Sequence, residues 1–493
     1  MHRGLQIPEI VDLVVLQLGE HARELAALAL TCTDLHDIAL DALWRNQDTV
    51  LNLIRCMPAD LWETVFVDGV ATLRARREIV ASDWDRWLKY AYRIRAISCT
   101  DPLGGSLPVL KDAYRALTRN NPEDSLLPRL EHLSWCHRQL TYSPFITLFL
   151  NPNINSIDLD GQVDHGHLFD SLGQRCPSLT SVIVQGVNRA SSEVERRRLS
   201  TFICSLTSAE LLDVRTMDRP MLTHLDGLPT LKTLRTGLPA SLSFTDVPDG
   251  TMFSQLRSTT ITLAGTIPIS SSFVRTWNSP QLKSFELVVR DCRALQQIEG
   301  LYQELSAHCS HEHLEFFKVA LIQWKHTTVT AHPGRFFRPL FRFTHLRIVE
   351  VHVPSGYTLD DATILDMATA WSRLERLALG SSTSHSPKCT LLGLYFFSQR
   401  CPLLEALEIT LDASSVPELS VDPAATIRQD KLSLIHVWFS PISDARAVAN
   451  FMLALFGNLK EIVTELHYWE HHIENHKRWM EVKRLLSQAA PTS

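Results

Sequence analysis

From Leu127 onward the apolar positions fall into one recurring phrase: an apolar residue, two others, an apolar, one other, an apolar, often introduced by Pro or Cys-Pro. The phrases open at Leu130, Ile154, Leu179, Ala209, Leu231, Leu256, Leu282, Leu314, Leu346, Leu374, Leu404, Leu432 and Leu459, about 27 residues apart on average. The clear copies are LEHLSW, LKSFEL, LRIVEV, LERLAL and LEALEI, and the weak ones open at Leu231, Leu256 and Leu459. Alternation within each phrase predicts a short strand with one buried face. A single strand cannot bury that face alone, so neighbouring units must stack. Each aliphatic side chain so buried contributes about 1.5–3 kcal/mol. Helix-like segments fill the intervals at 163–175, 192–206, 359–371, 391–400 and 443–456, the second opened by a Ser192-x-x-Glu195 capping box. Strand, crossover helix and parallel strand together predict an α/β solenoid. Propeller blades are excluded by the lack of recurring Gly-His or Trp-Asp pairs and by the helical spacers.

The first forty-odd residues read differently, as three short apolar helices: IPEIVDLVVLQL, ARELAALALTC and TDLHDIALDALWRNQ. Pro8 suits a first helical turn and Glu9 the positive end of the helix dipole. Ile10, Leu13, Val14 and Leu18 recur near helical spacing, and Thr33 or Asp34 is expected to cap the third helix. In that helix Leu35, Ile38, Ala39, Ala42 and Leu43 share a face. Three helices of this size are too small for an independent core and need a partner surface. The pattern stays helical to about residue 120, with Ser82 as a cap and Trp84, Trp87, Leu88, Ala91 and Ile94 clustered on one side. The last amphipathic run, 468–488, is expected to cap the array.

The residues Ile7-Pro8-Glu9-Ile10, the Leu25/Leu28/Leu30 run into Cys32, and Ala39-x-x-Ala42-Leu43-Trp44 resemble an F-box of the fungal kind. Leu35 stands where many members carry an aromatic residue. The resemblance implies a helical trio that docks on the Skp-type adaptor of a cullin-RING ubiquitin ligase. The phrases resemble the long, irregular leucine-rich repeats that follow F-boxes, best seen in QRCPSLTSVIV (174–184) against QRCPLLEALEI (399–409). By that resemblance the parallel strands line a concave face and the helices a convex one. The polar Asn or Cys usual after each strand is mostly missing, so its backbone hydrogen bonds must come from elsewhere. The implied domains are an F-box over 1–46, a helical linker or cap over 47–120, a repeat array over 121–467 and a capping helix and tail over 468–493.

Composition adds limits. The chain has 493 residues, 45% hydrophobic and 21% charged, with a net charge of −6, so no broad nucleic-acid or anionic-membrane surface is expected. The run 11–18 contains Asp12 and is too short to span a bilayer. Ten scattered cysteines, without a CxxC pair and without a secretory signal ahead of them, point to the cytosol or nucleus. No phosphate-binding glycine loop or nucleophile elbow is present. His472 and His476, four apart on a helix, lack a third ligand, and Cys309, His311 and His313 approach a strand whose next residues pack inward. Cys401 has a twin at Cys176 in the same repeat position, which argues for a structural role. No cofactor, metal or catalytic residue is expected, and the chain reads as a non-catalytic receptor.

Adaptor contact, or shaping of the docking face, is expected from Ile7, Pro8, Ile10, Leu28, Leu35, Leu43 and Trp44. Strand alternation directs a second set to the open face of the array, where Glu408, His436, Trp438, Glu461 and Glu465 form an acidic end with one aromatic anchor. Such a face suits a basic segment of a protein target. The alternative is a repeat scaffold or inhibitor acting outside a ligase, whose N-terminal helices pack on the array with no apolar face exposed.

Overall fold

The computed structural model describes residues 8–19, 21–67, 70–100, 110–119, 121, 124–137, 139–159, 168–187, 191–264, 267–290, 297–322, 331–353, 356–380, 387–418, 428–465 and 470–489. Two compact units are present: residues 1–216 with 220–231, and residues 217–219 with 232–493. Among the described residues no helix is long and apolar enough to cross a membrane.

Every phrase forms a strand, and each strand begins two residues after its opening apolar residue. In the first unit six parallel strands pair in sequence: Asn46–Gln47, Ala96–Thr100, His132–Cys136, Ser156–Leu159, Ser181–Val184 and Leu211–Val214. In the second unit nine do so, from Thr233–Gly237 through Ser258–Ala264, Ser284–Arg290, Phe316–Ile322, Ile348–His352, Arg376–Gly380, Ala406–Glu408 and Leu434–His436 to Glu461–Val463. The fold is therefore α/β and solenoid-like. Positions one and four of every phrase are buried, Thr259 included.

Helix starts follow local chemistry. Ser192 and Glu195 form the reciprocal capping box (Glu195 N–H to Ser192 Oγ 3.2 Å, Ser192 N–H to Glu195 Oε2 2.7 Å). Asp360, Thr390 and Asp444 cap the helices Asp361–Ala370, Leu391–Arg400 and Ala445–Leu455 through side-chain oxygens. The third N-terminal helix is different: its N-cap is Cys32, with no side-chain cap, so neither Thr33 nor Asp34 plays that part.

The hydrogen bonds left open by the missing repeat asparagines are made by scattered side chains. Asn151 gives its amide to Leu127 O at 3.0 Å and accepts from Asn153 N–H. Buried Gln429 donates to Leu404 O at 2.7 Å and accepts from Leu432 N–H at 2.8 Å. Cys401 lies against the carbonyls of Ala368 and Trp371 in the preceding repeat, each 3.6 Å away. Burial pushes its thiol up to about 12 and that of Cys176 up to about 11, so both are inert packing groups.

The 47–120 segment holds more strand than its apolar spacing predicts. Trp62–Val67 and Val70–Ala75 form an antiparallel hairpin, and Ala96–Thr100 is a sheet strand introduced by buried Ile94. W-E-T-V-F-V carries β-branched and aromatic residues ahead of an Asp-Gly dipeptide, a hairpin signal that the tryptophan spacing masks. At the other end, helix Glu470–Ala489 closes the second unit by burying Trp479, Val482 and Leu486. The Trp479 indole N–H donates to Ser440 O at 2.8 Å.

Two stability predictions follow from buried polar groups. Replacing Gln429 with Leu strands a carbonyl and two amide hydrogens, and should lower stability by about 2–4 kcal/mol in chemical denaturation. His332 lies fully buried among Tyr302, Phe336, Phe337 and Tyr357, with neither ring nitrogen well hydrogen-bonded. Burial lowers it to about 4 from 6.5. The unfolded chain then binds the extra proton first, so stability is lost as pH falls from about 6.5 towards 4, by roughly 3 kcal/mol at most. His332→Leu should remove this component from the pH–stability curve.

Candidate binding surfaces

The N-terminal trio comprises α1 (Pro8–Gln17), α2 (Ala22–Ala29) and α3 (Thr33–Arg45). Its own small core is Val11, Val15, Leu25 and Leu35, ringed by Leu18, Leu28, Ile38, Ala42 and Leu43. Val11, Val15 and Leu18 account for one face of α1 at helical spacing. The opposite side is also apolar: Ile10 is 40% exposed, Leu13 60%, Val14 40% and Leu16 72%. Leu30, at the end of α2, is 85% exposed. α1 therefore carries apolar residues on both sides, in excess of the single stripe that a helix packed on one face needs.

The trio is fixed at one end by contacts from α3. Arg93 lies between Asp37 and Asp41, bonding the first at 2.7 Å and the second closely. The hydrogen bond from Arg93 holds the Asp37 carboxyl below the usual carboxylate range. Trp44 stacks on Tyr90 with ring centroids 4.6 Å apart. Arg95 N–H donates to Arg45 O at 2.9 Å, so the end of α3 runs directly into the first parallel strand.

The expected adaptor residues are thus distributed as follows. Ile10 lies on the exposed side of α1; Leu28 and Leu43 are half-buried against the trio core; Leu35 is inside that core. Trp44 is half-buried against Tyr90. Ile7 and the side chain of Pro8 lie outside the described residues. Leu13, Leu16 and Leu30 complete the exposed surface. They were legible in the sequence as apolar residues in excess of one helical stripe.

The second surface is the open face of the nine-stranded run. Glu286, Lys318, Glu350, Ala378, Glu408 and His436 are cross-strand neighbours in register. Lys318 Nζ sits 3.1 Å from Glu286 and 3.9 Å from Glu350. Where Ala378 leaves a gap, Arg376 reaches from two residues earlier to within 3.2 Å of both Glu350 and Glu408. His436 lies between Glu408 (3.7 Å) and Glu465 (3.5 Å) and stacks on Trp438 at 4.3 Å. His436 beside it, opposed by half-burial and reinforced by Arg376, holds the Glu408 carboxyl below the usual range.

Glu408, His436, Trp438 and Glu465 are therefore brought together. Glu461 stands apart, 3.7 Å from Lys483 of the last helix. The face is not uniformly acidic, because cations from alternate strands interleave with the carboxylates, a pairing that a per-strand reading cannot register. Nor is Trp438 a freely exposed anchor: it is half-buried under His436, and its backbone is left-handed, with φ of 50°. That conformation costs a bulky residue on the order of 1 kcal/mol or more. Its carbonyl accepts from Thr464 Oγ1 at 3.0 Å and Glu465 N–H at 3.3 Å, which hold the turn.

Neither histidine group read from the sequence assembles three ligands among the described residues. His311 bonds Ser306 O at 2.7 Å and His313 pairs with Ser310 at 3.0 Å. His476 lies on the last helix, and the side chain of His472 is outside the described residues.

His436→Gln should let the Glu408 carboxyl titrate at higher pH, towards the ordinary range. Carboxyl chemical shifts of glutamate-labelled protein, followed against pH, would measure this.

No protein-family model and no curated protein matches the chain. Among solved structures it is similar to a chain in the crystal structure of the Rad7 and Elc1 complex in yeast, with 12% identity and a TM-score of 0.40. That similarity covers 72% of this chain and 82% of the other. At this distance the likeness assigns no residue roles.

Proposed function

We propose that this chain is the substrate-recognition subunit of an SCF-type ubiquitin ligase, working in the cytosol or nucleus without catalytic chemistry of its own. The trio docks a Skp-type adaptor, and through it a cullin-RING ligase. The open face of the repeat array holds a protein target. The single observation that carries the reading is the exposed apolar side of α1 together with Leu30, on helices otherwise held firmly by α3. A solvated surface of this kind is unfavourable unless a partner covers it. In this reading Ile10, Leu13 and Leu16 touch the adaptor, and Leu28, Leu35 and Leu43 shape the trio beneath them. Glu408, His436, Trp438 and Glu465, with Glu461 nearby in sequence, form the target-binding end of the array. A scaffold acting outside a ligase would pack the same helices with no apolar face exposed, and the side of α1 opposite Val11 and Val15 speaks against it.

The test is co-purification with a Skp-type adaptor. The full chain should retain the adaptor, and a chain lacking residues 1–46 should not. Leu13→Asp with Leu16→Asp should weaken capture by about a hundredfold or more, since each buried leucine is worth about 1.5–3 kcal/mol. Equal recovery with and without residues 1–46 would end the proposal.

A further inference from the structure

The hairpin Trp62–Val67/Val70–Ala75 of the first unit stands outside the six-stranded run as a two-stranded sheet of its own. Its second strand is covered, with Thr72 and Leu73 buried and the helix Lys111–Arg119 packed against it. Among the described residues no strand pairs with the outer side of its first strand.

One bond fixes which backbone groups that outer edge presents. Arg76 N–H donates to Leu61 O at 2.8 Å, so Leu61 and Arg76 form a hydrogen-bonded pair. Antiparallel alternation then places the remaining exchanges at Glu63/Arg74, Val65/Thr72 and Val67/Val70. The N–H and C=O of Trp62, Thr64 and Phe66 consequently point away from the hairpin. Trp62 is half-buried at the root, whereas Thr64 is exposed and Phe66 is 76% exposed, with Val67 at 53% beside it.

Natural edge strands are guarded by lysine, proline, a bulge or brevity. W-E-T-V-F-V has none of these, and five of its six residues favour strands. Its one charge, Glu63, is neutralised within the hairpin by Arg74 at 2.7 Å and Arg76 at 3.5 Å.

We propose that this edge pairs with the same edge of a second copy of the chain, antiparallel about a two-fold axis at Val65. Thr64 then faces the partner's Phe66, and Phe66 the partner's Thr64. All four exposed backbone donors and acceptors at Thr64 and Phe66 are satisfied on each strand, giving four hydrogen bonds across the axis. Val65 meets the partner's Val65 in the close, non-hydrogen-bonded position, and Glu63 faces the partner's Val67. No like charges oppose one another. The edge is complementary to itself because its outward-facing groups are symmetric about Val65, which is the condition for an isologous contact. A charged foreign strand would find no counter-charge along it.

Sedimentation of the full-length chain over rising concentration tests the proposal. A dimer should accumulate with concentration. Thr64→Pro should weaken it by about tenfold or more, since the lost N–H points outward and the hairpin keeps its own bonds. Phe66→Lys should do the same by restoring an edge guard, and both variants should keep the wild-type circular dichroism and adaptor capture. Val65→Cys should form a disulfide-linked dimer under mild oxidant, absent from wild type treated alike, because that pair lies about 4.5 Å apart at Cα. A wild-type chain that stays monomeric to roughly 200 µM, beyond where even a small interface would register, would overturn the proposal. So would a dimer indifferent to both edge variants, or hairpin variants that alter only the capture of a foreign protein.

Discussion

One backbone carbonyl per repeat carries the stacking of this protein. In the second unit Lys283 O accepts from Glu315 N–H and Phe316 N–H at 2.9 and 3.0 Å, and Glu315 O accepts from Arg347 N–H and Ile348 N–H at 2.8 and 3.0 Å. The same two-to-one junction recurs from Lys232 to Ser433. The first unit repeats it at Arg95, Glu131, Asn155 and Thr180. A single acceptor receiving two consecutive donors fixes where the next strand begins, and with it the side of the sheet on which every later residue falls. This explains why strands as short as Ala406–Glu408 hold register. It also explains why the residue supplying that carbonyl, position two of each phrase, is polar throughout: its side chain stands where the chain turns from solvent into the sheet.

The same junction lays out the surface charge. Lys283, Glu315, Arg347 and Glu375 form one row of contacts at 3.4, 3.7 and 2.6 Å. Three residues further along, Glu286, Lys318 and Glu350 form a second row of opposite phase. In the three repeats that open at Leu282, Leu314 and Leu346 each therefore carries a pair of opposite signs, and its neighbour carries the reverse. Individually such exposed pairs are worth little. Collectively they disfavour pairing a strand with the repeat after next, where like charges would meet. At the C-terminal end the alternation runs out into Glu408, His436 and Glu465, where histidine takes the place of a permanent cation over a strained tryptophan. That end differs in kind from the rest of the face, and it is where we propose that a target is held.

The N-terminal trio obeys the opposite rule. The repeats bury the first and fourth positions of every phrase and expose paired charges, whereas α1 exposes Leu13 and Leu16. Arg93 and Trp44 fasten α3, and α1 packs on α3 through the small core of Val11, Val15, Leu25 and Leu35.

The sequence by itself determined the repeat. The opening leucines, the alternation behind them, the Ser192 helix start and the matching repeat positions of the buried Cys176 and Cys401 are local patterns, and local patterns survive into the fold when each repeat meets only its neighbours. The hairpin at Trp62 and the strand behind Ile94 were written there too, but helical spacing of nearby tryptophans overlaid the period-two signal. What only the tertiary structure decided is everything that depends on which residues become neighbours across some thirty positions of chain. Arg376 filling the gap at Ala378, Gln429 standing in for a missing asparagine, His332 sealed among aromatic rings and Trp438 forced left-handed all arise from register. Register is set by the carbonyl junctions, whose geometry no side-chain pattern spells out.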